Sequence, residues 1–323
     1  MPPPRFAGRG APFAAAAVLL FAAGALRAEE FFQIRDQNAL LRGFYLPLPA
    51  DTRADAGISL GAALLVSNTL NVESRGGEKL FVDGESAVLD LSLESSLSEN
   101  WHYRFTVPVI HDSGGSLDSV IDTWHQAFGF SRGYRPFYPK KQIDYSYSGH
   151  GSIDLDHSQT GFGDVSADLG WYAFDDARRS FSLWGGLKAP TGSVADLTSD
   201  GAWDGALWAN AAMRRAAWQF AAEIGVSQPF GDELFAGAAH RSAGFARLSA
   251  TRTLGPNWSL RAQLDGQTSR VAGTELRFLG PSLQLSLGAD RRLRGRWRIQ
   301  MGFTEDAAVN TAPDITFFLG IHG

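Results

Sequence analysis

The chain of 323 residues contains no cysteine, which excludes a disulfide framework and any thiolate metal site. Positive charge is also short: 29 Lys and Arg face 34 Asp and Glu, a net charge of −5. An acidic chain is poorly suited to tracking a phosphate backbone, so nucleic acid is excluded as a partner. Beyond the first 28 residues no apolar run is long enough for a membrane-spanning helix, which needs roughly 20 residues. Any crossing of a bilayer must therefore use strands.

The first residues set the compartment. Arg5 and Arg9 precede an apolar run from Ala11 to Leu26, with small residues at Ala23, Gly24, Ala25 and Ala28. A charged start, a short apolar core and small residues at its end predict a signal peptide over 1–28, cleaved after Ala25 or Ala28. Cleavage after Ala28 leaves 26 basic against 34 acidic residues, a net charge of −8. Residues 29–56 follow with several aromatics, Pro47, Pro49 and no clean period. They read as an N-terminal arm, either periplasmic or plugging what comes next.

From Gly57 onward the chain alternates with period two, and twelve strands are predicted over 57–323. Examples are Trp101, Tyr103, Phe105, Val107 and Val109 against His102, Arg104 and Thr106, and Trp218, Phe220, Ala222 and Ile224 against Gln219 and Glu223. A bulge is expected at Gly280-Pro281. Period two alone fits a soluble sandwich as well as a barrel, and three further features decide between them. Short connections alternate with mostly longer ones, as in outer-membrane barrels. Trp101, Trp171, Trp218, Trp258 and Trp297 all fall in the apolar phase beside short turns, which makes an interfacial girdle. The polar phase carries charge deep in strands. Asp90, Glu94, His102, Arg104, Asp168, Lys188, Glu223, Arg261, Asp265 and Arg298 are the expected lumen-lining residues. In hydrocarbon only a closed barrel satisfies every strand backbone group. The predicted fold is all-β, a closed antiparallel transmembrane β-barrel of about 12 strands. Its expected site is the outer membrane of a Gram-negative bacterium.

The longest connection, 111–163, is expected to be an outer loop or a plug. Within it Leu117, Val120, Ile121, Trp124 and Phe128 lie on one face of a helix. The spacing predicts one short helix over 117–128, packed in the barrel mouth. Asp118, Asp122 and His125 share one side of it, a spacing that suits a metal or an acid–base pair and equally a solvated helix face. Asp154, Asp156, Ser158 and Thr160 alternate like the start of a calcium loop, but Val165 stands where the bidentate Glu would be. His102, His111, Ser113 and Ser116 invite comparison with lipid hydrolases, yet His102 takes the lumen phase and no G-x-S-x-G is present. No catalytic residue, metal or cofactor is expected, and the chain is read as a non-enzyme.

Six segments, FFQIRDQNALLRGFYLPLP, FVDGESAVL, SGGSLDSVIDTWHQAFGFSRGYR, TGFGDVSADLG, LKAPTGS and SDGAWDGAL, resemble in this order an uncharacterised family of secreted Gram-negative proteins known only as a domain of unknown function. The SGGSLDSVIDTWHQAFGF run is the most specific part. The family looks like outer-membrane β-barrels, and the LKAPTG turn is similar to one in outer-membrane transporters for aromatic compounds. The resemblance implies no ligand or activity. One departure is the C-terminus, FFLGIHG, where such barrels usually end in an aromatic residue read by the insertion machinery.

The expected function is a passive outer-membrane channel or transporter for a small molecule, a hydrophobic one among the candidates. The alternative is a structural or interaction barrel that displays 111–163; a lipid hydrolase ranks last. Expected partners are outer-membrane lipid and lipopolysaccharide, the insertion machinery and a small solute of unknown identity.

Overall fold

Alternation in sequence becomes alternation across a wall. Gln219, Ala221 and Glu223 are buried while Phe220, Ala222 and Ile224 between them are exposed. The same switch of face runs through the other strands. The structure, a computed structural model, describes residues 30–51, 57–115, 117, 123, 137–231, 233–236, 238, 242–308 and 310–323.

The strands are β1 (Ile58–Arg75), β2 (Glu78–Ser96), β3 (Trp101–Ser113), β4 (Asp144–Gly149), β5 (Gly151–Leu155), β6 (Gln159–Phe162), β7 (Val165–Asp175) and β8 (Arg179–Ala189). They continue as β9 (Asp204–Arg215), β10 (Trp218–Pro229), β11 (Ala243–Thr253), β12 (Trp258–Gln267), β13 (Ser282–Arg292), β14 (Arg298–Asp306) and β15 (Ile315–His322). Twelve of them, β1–β3 and β7–β15, close an antiparallel ring. The ring shuts where β15 pairs with β1, from Gly61 opposite His322 to Asn68 opposite Ile315. Both ends of the barrel chain lie at the rim that carries the short turns 97–100, 176–178, 216–217, 254–257 and 293–297. The longer connections gather at the other rim.

β1 and β2 have 18 and 19 residues, about twice what a tilted membrane strand needs. Their far ends run past the belt of exposed apolar side chains, where Leu80 pairs with Tyr147 of β4 and β4 with β5. On the other side β6 pairs with the end of β3 and β7 with its beginning. The stretch 111–163 is therefore not one long loop: β4, β5 and β6 lie in it and extend the wall. The predicted helix 117–128 lies outside the described residues apart from Leu117 and Thr123, and Asp118, Ile121, Asp122, Trp124, His125 and Phe128 with it. No bulge forms at Gly280-Pro281. A 3-10 turn, Arg277–Leu279, precedes it and β13 starts at Ser282; the one register shift between barrel strands falls at Tyr172/Phe174.

Candidate functional site: the lumen and the arm that fills it

The arm, residues 30–51, lies inside the barrel. Glu30 sits by the short-turn rim, where its carboxylate takes Arg214 at 3.0 Å. The chain then climbs to the loop rim, where Asn38 donates to the carbonyl of Phe278 at 2.7 Å. A turn over 39–42 reverses it, closed by the amides of Leu41 and Arg42 on the carbonyl of Asn38. It descends again until Tyr172 donates to the carbonyl of Asp51 at 3.1 Å, and the amide of Glu30 returns to the Asp51 carboxylate at 3.0 Å. The result is a hairpin-shaped loop threaded up and down the lumen.

This loop has no strand or helix of its own, so its backbone groups need partners from elsewhere. The wall supplies them. On the ascending limb the amides of Phe32 and Gln33 donate to Gln263 at 2.7 Å and Gln300 at 3.0 Å. On the descending limb three wall cations hold carbonyls. Lys188 donates to Gly43 at 2.6 Å, Arg247 to Pro47 at 2.7 Å, and Arg104 to Leu48 and Pro49 at 2.7 and 2.8 Å. Wall carboxylates take the amides: Asp204 that of Tyr45 at 2.6 Å and Glu223 that of Ala50 at 3.3 Å. Pro47 and Pro49 remove two donors that would otherwise need acceptors.

Each cation is balanced in turn. Arg104 pairs with Asp168 at 2.8 Å and Arg247 with Glu223 and with Asp265 at 3.2 Å. Lys188 meets Asp164 at 2.8 Å, Asp204 at 3.5 Å and Asp200. Arg261 pairs with Asp290 at 3.1 Å and lies over the ring of Phe32. The arm brings its own charges: Arg35 reaches Asp90 at 2.6 Å, and Arg42 reaches Asp112 and Ser86. Among groups in the connections, burial raises the pKa of Asp200 against the pull of Lys188, and burial lowers that of Arg270 to about 10 against the pull of Asp204.

Shape fits as closely as charge. A methyl group on Gly43 would stand 2.6 Å from the amide nitrogen of Asp200, so only glycine lets the arm pass there. Gly186 on β8 leaves the space into which the Tyr45 hydroxyl reaches to bond Asp168. Tyr45 packs among Tyr172, Trp184, Trp208 and Phe245, all turned inward. At the loop rim Leu40, Leu41 and Phe44 join Leu80, Tyr145, Tyr147, Phe235 and Phe278 in an apolar cap.

Two of the spaces beside the arm lie toward β2 and β3. The lower one, about 100 Å³, opens near the short-turn rim and is lined by Asp51, Asp90, Glu94, His102 and His322 among others. The upper one, about 20 Å³, has Arg35, Arg42, Asp164 and Lys188 in its lining. Arg298 also points inward, near Asp290, at the short-turn rim.

The tryptophans Trp101, Trp171, Trp258 and Trp297 are exposed on the outer face beside the short turns, and Trp218 is half-exposed beneath the Arg252 guanidinium. The hydrolase-like residues do not converge: His102 is buried inside while His111 bonds Thr160 at 2.8 Å on the exposed side. Ser116 lies outside the described residues. The Asp154–Thr160 stretch belongs to β5 and β6, and Asp156 contacts His157 at 3.3 Å. Among the described residues no group of three His, Asp or Glu is placed to hold a metal ion. Sequence reading missed Arg247, Asp164, Asp204, Trp184 and Trp208 as lumen residues. Arg247 and Asp204 could have been found from their polar phase; the inward tryptophans could not, because the phase of an apolar residue on an otherwise polar face looks like noise.

No curated protein matches the chain in sequence. Among solved structures it is similar to the COG4313 outer membrane channel from Pseudomonas putida F1, at 13% identity over 87% of this chain and 97% of that one, with a TM-score of 0.54. The Ralstonia pickettii toluene transporter TbuX aligns more loosely, at 9% identity over 82% and 88%, with a TM-score of 0.38. The likeness to the first of these is one of fold, that of an outer-membrane β-barrel. A family model described as a protein of unknown function, DUF3187, matches residues 28–322, and the chain belongs to that family.

Proposed function

We propose that the protein spans the outer membrane as a conduit for a small solute, and that its N-terminal arm is the gate. The observation that carries this reading is the arm itself, a loop without regular structure held inside a barrel by side chains of the wall and by the connections at the loop rim. A barrel meant only as a scaffold could fill its lumen with side chains. This one spends wall charge on the backbone of a removable segment. Irregular backbone at membrane depth survives only when protein or water satisfies it, and the same wall charges would face water once the arm withdrew. The polar lining of these two spaces favours a solute that can form hydrogen bonds. With the short turns toward the periplasm, the arm and the start of β1 share the side on which a secreted chain arrives.

Planar-bilayer conductance of the refolded full chain and of a chain lacking 30–51 tests the proposal, with heat-modifiable gel mobility as the check on barrel formation. The full chain should conduct weakly and the truncated barrel strongly. A folded, truncated barrel that stays electrically silent would falsify it. A second reading, a display barrel, has one observation in its favour: the β1–β2 hairpin with β4 and β5 stands clear of the apolar belt.

A further inference from the structure

The outer wall carries a groove as well as a belt. Across β9–β12 four alanines meet in the outward rows, among larger apolar neighbours. Ala211 faces Ala222, and Ala250 faces Ala262, in adjacent strand pairs. Their small side chains leave a depression of about 650 Å³, walled by Phe174, Phe220, Leu248 and Leu264. These walls are themselves exposed. A depression this apolar in a lipid-facing surface takes a hydrocarbon chain.

The lower end of the groove is cationic. Arg179 lines it directly, opposite Met213, which pairs with Phe220 on its other side. One row closer to the turns, Trp218 pairs with Arg215 on one side and Arg252 on the other, and the Arg252 guanidinium lies 5.0 Å over the indole. Of the nearby acids, Asp175 takes Arg214 at 3.2 Å, and Asp176 takes the amides of Arg178 and Arg179 at 2.7 and 2.9 Å and lies within the field of the Arg179 charge. Across the barrel, the outward positions of β1, β3 and β15 at the same level are Ile58, Trp101, Tyr103 and Ile321, with no cation. Arginine also continues along this rim beyond the groove, to Arg291 over Trp258 and Arg296 beside Gly57, so the groove ends within a cationic arc.

We infer that this groove binds an anionic glycerophospholipid, with one acyl chain along the alanine floor and the phosphate between Arg179 and Arg215, the two exposed arginines at its end. Apolar length and positive charge meet at the height where a membrane changes from tails to headgroups, marked by Trp218 and Trp258. Arginine grips phosphate through paired N–H donors. The inference rests on the membrane placement proposed above and not on the conduit.

The refolded full chain in detergent, given equal amounts of dioleoyl-phosphatidylglycerol and dioleoyl-phosphatidylethanolamine, should retain the former preferentially in native mass spectrometry. Arg179→Gln and Arg215→Gln should each weaken that retention about fivefold, the worth of one arginine near an anionic headgroup. Ala222→Phe, which fills the floor and leaves every charge in place, should remove bound lipid of either kind. Equal retention of the two lipids, or retention unaffected by Ala222→Phe, overturns the inference, as does a dimer that Ala222→Phe disperses. A chain that folds but inserts into no bilayer overturns the membrane placement together with it; insertion without lipid preference overturns the lipid site alone.

Discussion

The apex of the arm and its descending limb are neighbours in sequence and differ in what dominates their hold. Arg42 at the apex also pairs with Asp112 and donates to the Leu197 carbonyl at 3.0 Å, and Tyr45 on the limb also packs among Trp184 and Trp208. At the apex, Leu40, Leu41 and Phe44 sink into an apolar cap, where Phe44 stacks on Phe235 with ring centres 6.0 Å apart. From Tyr45 to Asp51 the limb is instead gripped through its backbone by Arg104, Arg247, Asp204, Glu223 and Asn210. Apolar contact is non-directional and tolerates sliding. A guanidinium on a named carbonyl does not. The cap supplies attachment, and the charged limb fixes register and closes the lumen.

That division predicts different losses from the two regions. Arg104→Ala removes the donors to Leu48 and Pro49 and leaves Asp168 buried without its cation, a cost of about 3–5 kcal/mol. The unfolding midpoint in denaturant should fall, conductance should rise, and proteases should cut between 45 and 51. Unchanged conductance in a folded Arg104→Ala barrel would mean that the limb is not what closes the lumen. Phe44→Ala should cost about 3 kcal/mol from the cavity it leaves in the cap. Here the comparison sharpens: stability falls while conductance moves little, because the charged limb stays in register.

Gly43→Ala sits at the border of the two regions and should cost about 1–3 kcal/mol by overpacking against the backbone of Ser199 and Asp200. Its effect should combine the other two, with some loss of stability and some gain in leak through the displaced Lys188 contact. A thermal melt indistinguishable from the wild type would show that the apex can shift without cost.

The barrel was legible because its signal is local. Period two, five tryptophans beside short turns and charge at alternate positions each need only a dozen residues of context. The arm was not, because its partners lie far off in sequence: Arg247 meets Pro47 across 200 residues and Phe32 meets Gln263 across 231. Segment 29–56 shows aromatics, charges and prolines with no period, and those fit a free arm as well as a threaded one. The helix 117–128 drew attention as a plug because it has a period; the segment that does fill the lumen has none. Still, a trace was present. Four of the segments that carry the family resemblance supply Tyr45, then Asp164 and Asp168, then Lys188, then Asp200 and Asp204, and these meet at one point in the lumen. Segments that look unrelated along the chain are the arm and its receptor.

The smallest expected change in stability concerns the ascending limb. Arg35 lines the upper space beside the arm and Asp90 the lower one, and their contact stands between the two. Asp90→Asn keeps the size of the side chain and an acceptor for Arg35 while removing the charge. Arg35 is 17% exposed, so its guanidinium can turn to water instead of being stranded. The loss should be about 1 kcal/mol or less, as for other ion pairs with one solvated member. Leak should nevertheless rise, because the partition between the two spaces has lost its charge. A single-channel recording of Asp90→Asn separates the possibilities. Greater leak with an unchanged melt places the solute route along β2 and β3, between arm and wall. Unchanged leak, with Arg104→Ala conducting, would mean that the route opens only when the descending limb comes out.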